Sequence, residues 1–148
     1  MFSSIVVGTD GSQTASEAVG QAVAMARLMG ASLHIVSAYE SVAGQGPRDA
    51  PARSSQPDPQ WVIKLREDVD VTLAEAAEVA REAGVAVSVD ARQGDAADAI
   101  LDVAEERGAD LVIIGNKGRT GAKRFLLGSV PNKISHYAPC AVMIIRTR

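Results

Sequence analysis

A chain of 148 residues, 47% hydrophobic and 22% charged, has the balance of a globular protein and enough length to bury a core. The formal net charge of −3 speaks against a general binder of nucleic acid or anionic membrane, and no apolar run reaches the ~20 residues that span a bilayer. Cys140 is the lone cysteine and Met1 to Ile5 lack a basic, apolar leader, so one domain (1–148) in the reducing cytoplasm is expected, with no internal disulfide.

In chain order, Ile5-Val6-Val7-Gly8 is a short β-branched run closed by glycine and predicts a buried strand. From Thr14 to Met29 the positions Ala15, Ala18, Val19, Ala22, Ala26 and Met29 share one helical face, and Gly30 stops the helix. A second strand is predicted over Leu33–Ala38. The stretch from Glu40 to Pro59, with four prolines, reads as a long loop, either a lid or plain disorder. A helix over about Gln60–Ala83 follows, stopped by Gly84, and Val85, Val87 and Val89 predict a third strand. Asp95 is placed to cap a helix whose Ala97, Ile100, Leu101 and Ala104 face inward, ending at Gly108. Leu111–Gly115 is the fourth and most apolar strand, a short helix is predicted from Ser129, and Ala141–Ile145 is the fifth strand. Apolar strands alternating with helices predict an α/β fold, one parallel sheet covered on both faces. With aromatics at 3%, aliphatic side chains and alanine must fill its core.

Two strands end in segments suited to meet a ligand. The first delivers Gly8-Thr9-Asp10-Gly11-Ser12, and the fourth delivers Gly115-Asn116-Lys117-Gly118 and then Gly128-Ser129. In open parallel sheets ligands bind beyond the carboxyl ends of the strands. Gly115 and Gly118 are expected to adopt positive φ and bring bare N–H groups to an anion. Gly128-Ser129 stands where a helix starts, with unpaired amides and the positive dipole end, and the Ser129 hydroxyl is a further donor. Pro131 falls in that first turn, where its missing N–H costs little. Lys117, Arg119, Lys123 and Arg124 reverse the local charge of an acidic chain. The bland alternative is a solvated loop whose glycines only make turns. A P-loop is excluded, because G-x-x-x-x-G-K-[ST] is missing.

The spacing Gly115-x2-Gly118-x9-Gly128-Ser129 resembles the nucleotide-binding signature of the universal stress proteins. The likeness covers nearly the whole chain: the Gly8–Ser12 loop, the alanine-rich first helix, Gly108–Val112, Leu127–Val130 and Pro139–Met143 all look like that family. The resemblance implies a Rossmann-like (adenine nucleotide alpha hydrolase-like) five-stranded parallel sheet in the order 3-2-1-4-5. It implies that Thr9 and Asp10 lie beside adenosine and that Ala38 contacts adenine. Gly115, Lys117 and Gly118 would flank ribose and phosphates, and Gly128, Ser129 and Val130 would hold the phosphate chain. Gly8, Ile114, Asn116, Arg119 and Pro131 complete the expected nucleotide-binding set. The ligand implied is ATP, with cyclic AMP or AMP as the alternative. Asp10 itself is a candidate either to hold a metal such as Mg bridging to the phosphates or to hydrogen-bond the nucleoside. Members usually dimerise, often through the last strand, here Ala141 to Ile145.

Three positions depart from the family pattern. Lys117 replaces a frequent Arg or His, Asn116 a frequent Ser or Thr, and Pro131 removes an amide that could reach phosphate. Gly-Asn-x-Gly with Gly-Ser-Val-Pro looks like short actinobacterial members, some of which favour cyclic AMP.

A sensor or regulator is the expected role, with no catalytic residue assigned. A slow ATPase or self-phosphorylating enzyme is the rival, and for it Asp10 is the only candidate to position water. Asp10 also reads as an Asx turn opening the first helix. His34, His136 and Cys140 read as structural, Glu75, Glu78 and Glu82 as a solvated helix face, and Trp61 as packing or a partner contact. No zinc-ligand spacing is present.

Overall fold

Alternation at period two sorts the strand side chains onto two faces, and both faces are apolar. Ile5, Val7, Leu33, Ile35, Leu111 and Ile113 form one buried cluster, while Val6, Val36, Val112 and Ile114 belong to a second. A strand buried on both sides cannot show polar alternation, which is why these segments read as unbroken apolar runs. The structure, a computed structural model, describes residues 1–39, 59–117 and 127–147.

The elements are β1 (Ser4–Gly8), α1 (Gln13–Met29), β2 (Ser32–Tyr39), α2 (Pro59–Glu82), β3 (Val87–Gln93), α3 (Ala96–Glu106), β4 (Leu111–Gly115), α4 (Ser129–Tyr137) and β5 (Ala141–Ile145). All strand pairs are parallel, in the order β3-β2-β1-β4-β5. α1 and α2 cover the first cluster with Ala18, Ala22, Ala26, Leu73 and Ala80, and α3 and α4 cover the second with Ile100, Val103 and Ile134. Alanine on the helices lets them lie close to bulky strands, which answers the shortage of aromatics. Ile5, Leu33, Ile35, Leu111 and Ile113 have less than 2% exposure, so trimming any one to alanine is expected to cost about 2–5 kcal/mol.

The ends of α1 follow from its sequence. The Ser12 hydroxyl accepts the Ala15 N–H at 3.2 Å, and Gly30 closes the helix at φ +66°. At the amino ends of the central strands, the Asp110 carboxylate accepts the N–H groups of Ser3 at 2.9 Å and Ser4 at 3.0 Å, joining the starts of β1 and β4. Those backbone donors hold its pKa below the usual carboxylate value.

The third strand differs from the expected one. Val85 lies in the turn after α2, its N–H bonded to the Ala80 carbonyl at 3.0 Å, and β3 runs on through Asp90-Ala91-Arg92-Gln93. β3 is an edge strand, so on its α3 side Ser88, Asp90 and Arg92 replace the apolar residues that mark a central strand. There Ser88 Oγ lies 2.6 Å from His34 Nδ1, and Arg92 grips Glu106 at 2.6 Å. Cys140 directly precedes β5, half-buried, and burial raises its thiol pKa. Trp61 is half-buried in the first turn of α2. The predicted 40–59 loop lies outside the described residues except for Pro59, which opens α2. Among the described residues no helix is long and apolar enough to cross a membrane.

Candidate functional site

Chain connections run to opposite sides of β1. β2 lies on one side and β4 on the other, so the loops after β1 and β4 part and leave a crevice at their carboxyl ends. A cleft of about 310 Å³ occupies that position. Its apolar part is made by Val36, Ala38, Ile100 and Ile114, with Ala15 and Ala96 at the starts of α1 and α3. Its polar part is made by Gly8, Thr9 and Asp10 from one strand tip, and by Gly115, Lys117, Gly128, Ser129, Val130 and Pro131 from the other.

Eleven of the fourteen expected site residues therefore line one cleft: Gly8, Thr9, Asp10, Ala38, Ile114, Gly115, Lys117, Gly128, Ser129, Val130 and Pro131. Gly118 and Arg119 lie outside the described residues, as do Lys123 and Arg124. Asn116 is buried at 9% exposure and does not line the cleft. Its Oδ1 accepts the Thr147 N–H at 3.1 Å, and its carbonyl accepts the Gly128 N–H at 3.0 Å.

Two expectations about the glycines need correction. Gly115 is not among the glycines with positive φ; it is an ordinary strand residue. A Cβ there would come within 2.6 Å of the Thr14 methyl and 3.3 Å of the Thr14 carbonyl, so glycine is required by the approach of α1. The Gly128 amide is not open to a ligand, because the Asn116 carbonyl already holds it. The unpaired donors stand one and two residues further on. Gly128 is the N-cap of α4 at φ −62° and ψ 165°, with no side-chain cap. The first intrahelical bond is Asn132 N–H to the Gly128 carbonyl, and Pro131 has no N–H. That leaves the amides of Ser129 and Val130 without a protein partner among the described residues, at the positive end of the helix dipole.

The opposite wall holds itself together. Asp10 Oδ1 accepts the Ser12 N–H at 2.9 Å, Thr9 Oγ1 accepts the Gly11 N–H at 3.2 Å, and Gly11 sits at φ +80°. The Asx turn is therefore present, and Asp10 lines the cleft as well. A third wall, the start of α3, is closed. Asp95 caps it by accepting the Asp98 N–H at 3.0 Å, and Lys133 of α4 neutralises both carboxylates, 2.7 Å from Asp98 and 3.3 Å from Asp95. Those contacts raise the Lys133 pKa, the Asp98 hydrogen bond most. The cleft thus has one apolar end, one self-bonded carboxylate loop and one open pair of amides beside Lys117. Such a site suits a flat apolar group joined to an anion.

Sequence reasoning missed Ala15, Val36, Ala96 and Ile100 as lining residues. Val36 and Ile100 looked like plain core. The signal lay in Gly8, where a Cβ would meet the ends of Ile100 and Ile114, so both isoleucines reach the strand tip only beside a glycine.

A doubly wound parallel sheet with a cleft at its switch point defines a Rossmann-like α/β protein. The family model described as "Universal stress protein family" matches residues 1–146, and the chain belongs to that family. Universal stress protein Rv1636 of Mycobacterium tuberculosis (strain H37Rv) is 35% identical over 148 residues, covering 99% of this chain and 97% of the relative. Universal stress protein YxiE of Bacillus subtilis (strain 168) is 31% identical over 157 residues, covering 99% and 100%. Among solved structures, a universal stress protein crystallised in complex with cAMP superposes with a TM-score of 0.73 at 29% identity, covering 99% of this chain and 98% of the other.

Proposed function

We propose that this protein binds an adenine nucleotide in the cleft at the tips of β1 and β4 and acts as a nucleotide-responsive regulator. The observation that carries this reading is the pair of uncapped Ser129 and Val130 amides facing the same cleft as Lys117 and the apolar patch of Val36, Ala38 and Ile100. Adenine is flat and weakly polar and suits the small side chains of Ala38 and Ala96. The phosphate nearest ribose would take the two amides, where the helix dipole favours negative charge. In ATP the remaining phosphates would run toward Lys117. Asp10 is the only carboxylate lining the cleft among the described residues, so Mg would be held mainly by phosphate oxygens, with Asp10 as one protein ligand.

Cyclic AMP is a second reading, favoured by Pro131. That residue leaves two amides where a third would help bind a longer phosphate chain, and the similar protein crystallised with cAMP supports the same choice. Calorimetric titration of the purified protein with ATP, AMP and cyclic AMP separates the readings. Binding of at least one is expected; a folded protein that gives no heat with any of them rejects the proposal. Turnover is expected to be far slower than the ~10 per second typical of enzymes, because among the described residues Asp10 is the only carboxylate of the cleft that could take a proton from an attacking water. Sustained phosphate release near that rate would make the protein an ATPase.

We also infer a homodimer through β5. It is an edge strand whose Val142, Met143, Ile144 and Ile145 stay partly exposed in the single chain. Sedimentation analysis of the purified protein should give twice the chain mass, and a monomer at all concentrations would exclude it.

A further inference from the structure

β5 does not end its work at Ile145. The Ile145 carbonyl accepts the Asn116 N–H at 2.9 Å, continuing the sheet one step past β4. Two residues later the chain folds back against the root of the cleft. The Thr147 N–H donates to Asn116 Oδ1 at 3.1 Å, and the Thr147 hydroxyl lies 3.4 Å from the same oxygen. That hydroxyl also lies 2.9 Å from Thr14 Oγ1. One consistent direction runs through the group: Thr14 donates to Thr147, and Thr147 donates to Asn116. Thr14 is buried in the first turn of α1, directly against Gly115.

Each end of this chain of bonds meets a wall of the cleft. Thr14 follows the Ser12 cap, which is itself tied to Asp10. Asn116 carries on its carbonyl the amide of Gly128, the N-cap of α4. The path Thr14, Thr147, Asn116, Gly128 therefore spans from the carboxylate loop to the residue just before the open amides. Ser, Thr or Asn at 116 would each be polar, but only the amide side chain extends an acceptor oxygen as a backbone carbonyl would.

We propose that the Asn116 side chain and Thr147 form a latch, in which the residues beyond β5 fix the start of α4 relative to the start of α1 and so set the spacing of the nucleotide cleft. Asn116 and Thr147 are positioning residues: neither lines the cleft. The affinity part rests on the nucleotide reading above. The mechanical part does not.

Three variants test it: Asn116→Leu, which keeps shape and removes the acceptor; a chain ending at Arg146, which removes Thr147 together with Arg148; and Thr147→Ser, which keeps amide and hydroxyl. Hydrogen exchange at the Gly128 amide is compared with the Ala31 amide, bonded to the Ala26 carbonyl far from the latch. Exchange at Gly128 should quicken in the first two variants while Ala31 stays as in the parent. Affinity for whichever of ATP, AMP or cyclic AMP the parent binds should fall about tenfold in both, the loss expected for one internal hydrogen bond, and return in Thr147→Ser. Uniformly faster exchange at both amides would reduce the latch to general stability and overturn the proposal. So would parental exchange at Gly128, or faster exchange there with parental affinity. If the parent binds none of the three nucleotides, the functional reading fails and the exchange pattern alone decides whether the latch exists. Should Asn116→Leu not fold, the shortened chain carries the same comparison.

Discussion

Three helices begin at the cleft, and two of them, α3 and α4, treat their first amides in opposite ways. α3 starts behind Asp95, whose carboxylate accepts an amide of its own helix and is matched by Lys133. α4 starts behind Gly128, which has no side chain to offer, and its next two amides stay unpaired among the described residues. A helix start with glycine in the cap position loses roughly a few tenths of a kcal/mol relative to one with a capping side chain. The fold tolerates that loss at one of two adjacent helix starts. The difference favours α4, where donors are open, over α3, where carboxylates already stand, as the place where the proposed nucleotide would set its phosphate.

The most severe way to break this contrast is to give α4 the cap that α3 has. Gly128 has φ −62°, and an added Cβ would meet nothing nearer than 3.5 Å, so Gly128→Asp fits the backbone. The new carboxylate should accept the Val130 N–H and repel phosphate. Nucleotide affinity is expected to fall on the order of a hundredfold or more, while the thermal midpoint rises by about a degree or two. Calorimetry and thermal unfolding on one preparation check both; parental affinity in a stabilised variant would move the anion away from α4. Lys117→Gln is next. It removes the one cation lining the cleft among the described residues, and affinity should fall about tenfold, with weaker dependence on salt than in the parent. A salt dependence equal to the parent's would mean that Lys117 does not face the ligand.

Asp95→Ala runs the comparison in reverse. It uncaps α3 and takes one partner from Lys133, so stability should fall by about 1 kcal/mol in denaturant unfolding. Affinity should stay within about twofold of the parent, the usual limit for a surface change outside the contact set. A large loss of affinity would make the two helix starts one functional unit and dissolve the contrast.

Much of this was legible in the sequence because central strands and loop glycines carry strong local signals. Ile5–Gly8 and Leu111–Gly115 are apolar on both faces, and Asp95 and Ser129 mark helix starts almost to the residue. β3 was mislocated because an edge strand carries Asp90 and Arg92 on a face that a central strand would make apolar. The cleft-lining set was largely readable, but the reason for each glycine was not. Gly115 answers to Thr14, a contact distant in sequence, and the Gly128 amide answers to Asn116 across the loop. Asn116 looked like a ligand contact because its place in the loop was visible and its bond to Thr147 was not. Val36 and Ile100 have the composition of core residues, and only their height on the sheet brings them to the cleft.

The smallest expected effect lies below the cleft and sharpens the claim that binding is confined to its rim. His34 pairs in register with Val6, one pleat beneath the Gly8 and Val36 pair that lines the cleft, and its ring contacts Ser88 Oγ. Burial first, then the Arg107 charge, lowers its pKa from the ordinary 6.5, and Asp90 opposes them. The folded chain therefore holds this proton less well than the unfolded chain. Stability from the neutral ring is fully present above 6.5 and is lost as pH falls below it toward the lowered folded value. Thermal midpoints measured from about pH 7.5 down to about pH 5 should decline slightly, and His34→Gln, which can still bond Ser88 without titrating, should flatten that part of the decline. Nucleotide affinity over the same range should not follow His34, because the ring reaches neither the Ser129 and Val130 amides nor Lys117. An affinity change with the midpoint of His34, abolished in His34→Gln, would show that the middle of the sheet speaks to the cleft and that the contrast between the two helix starts is too narrow an account of binding.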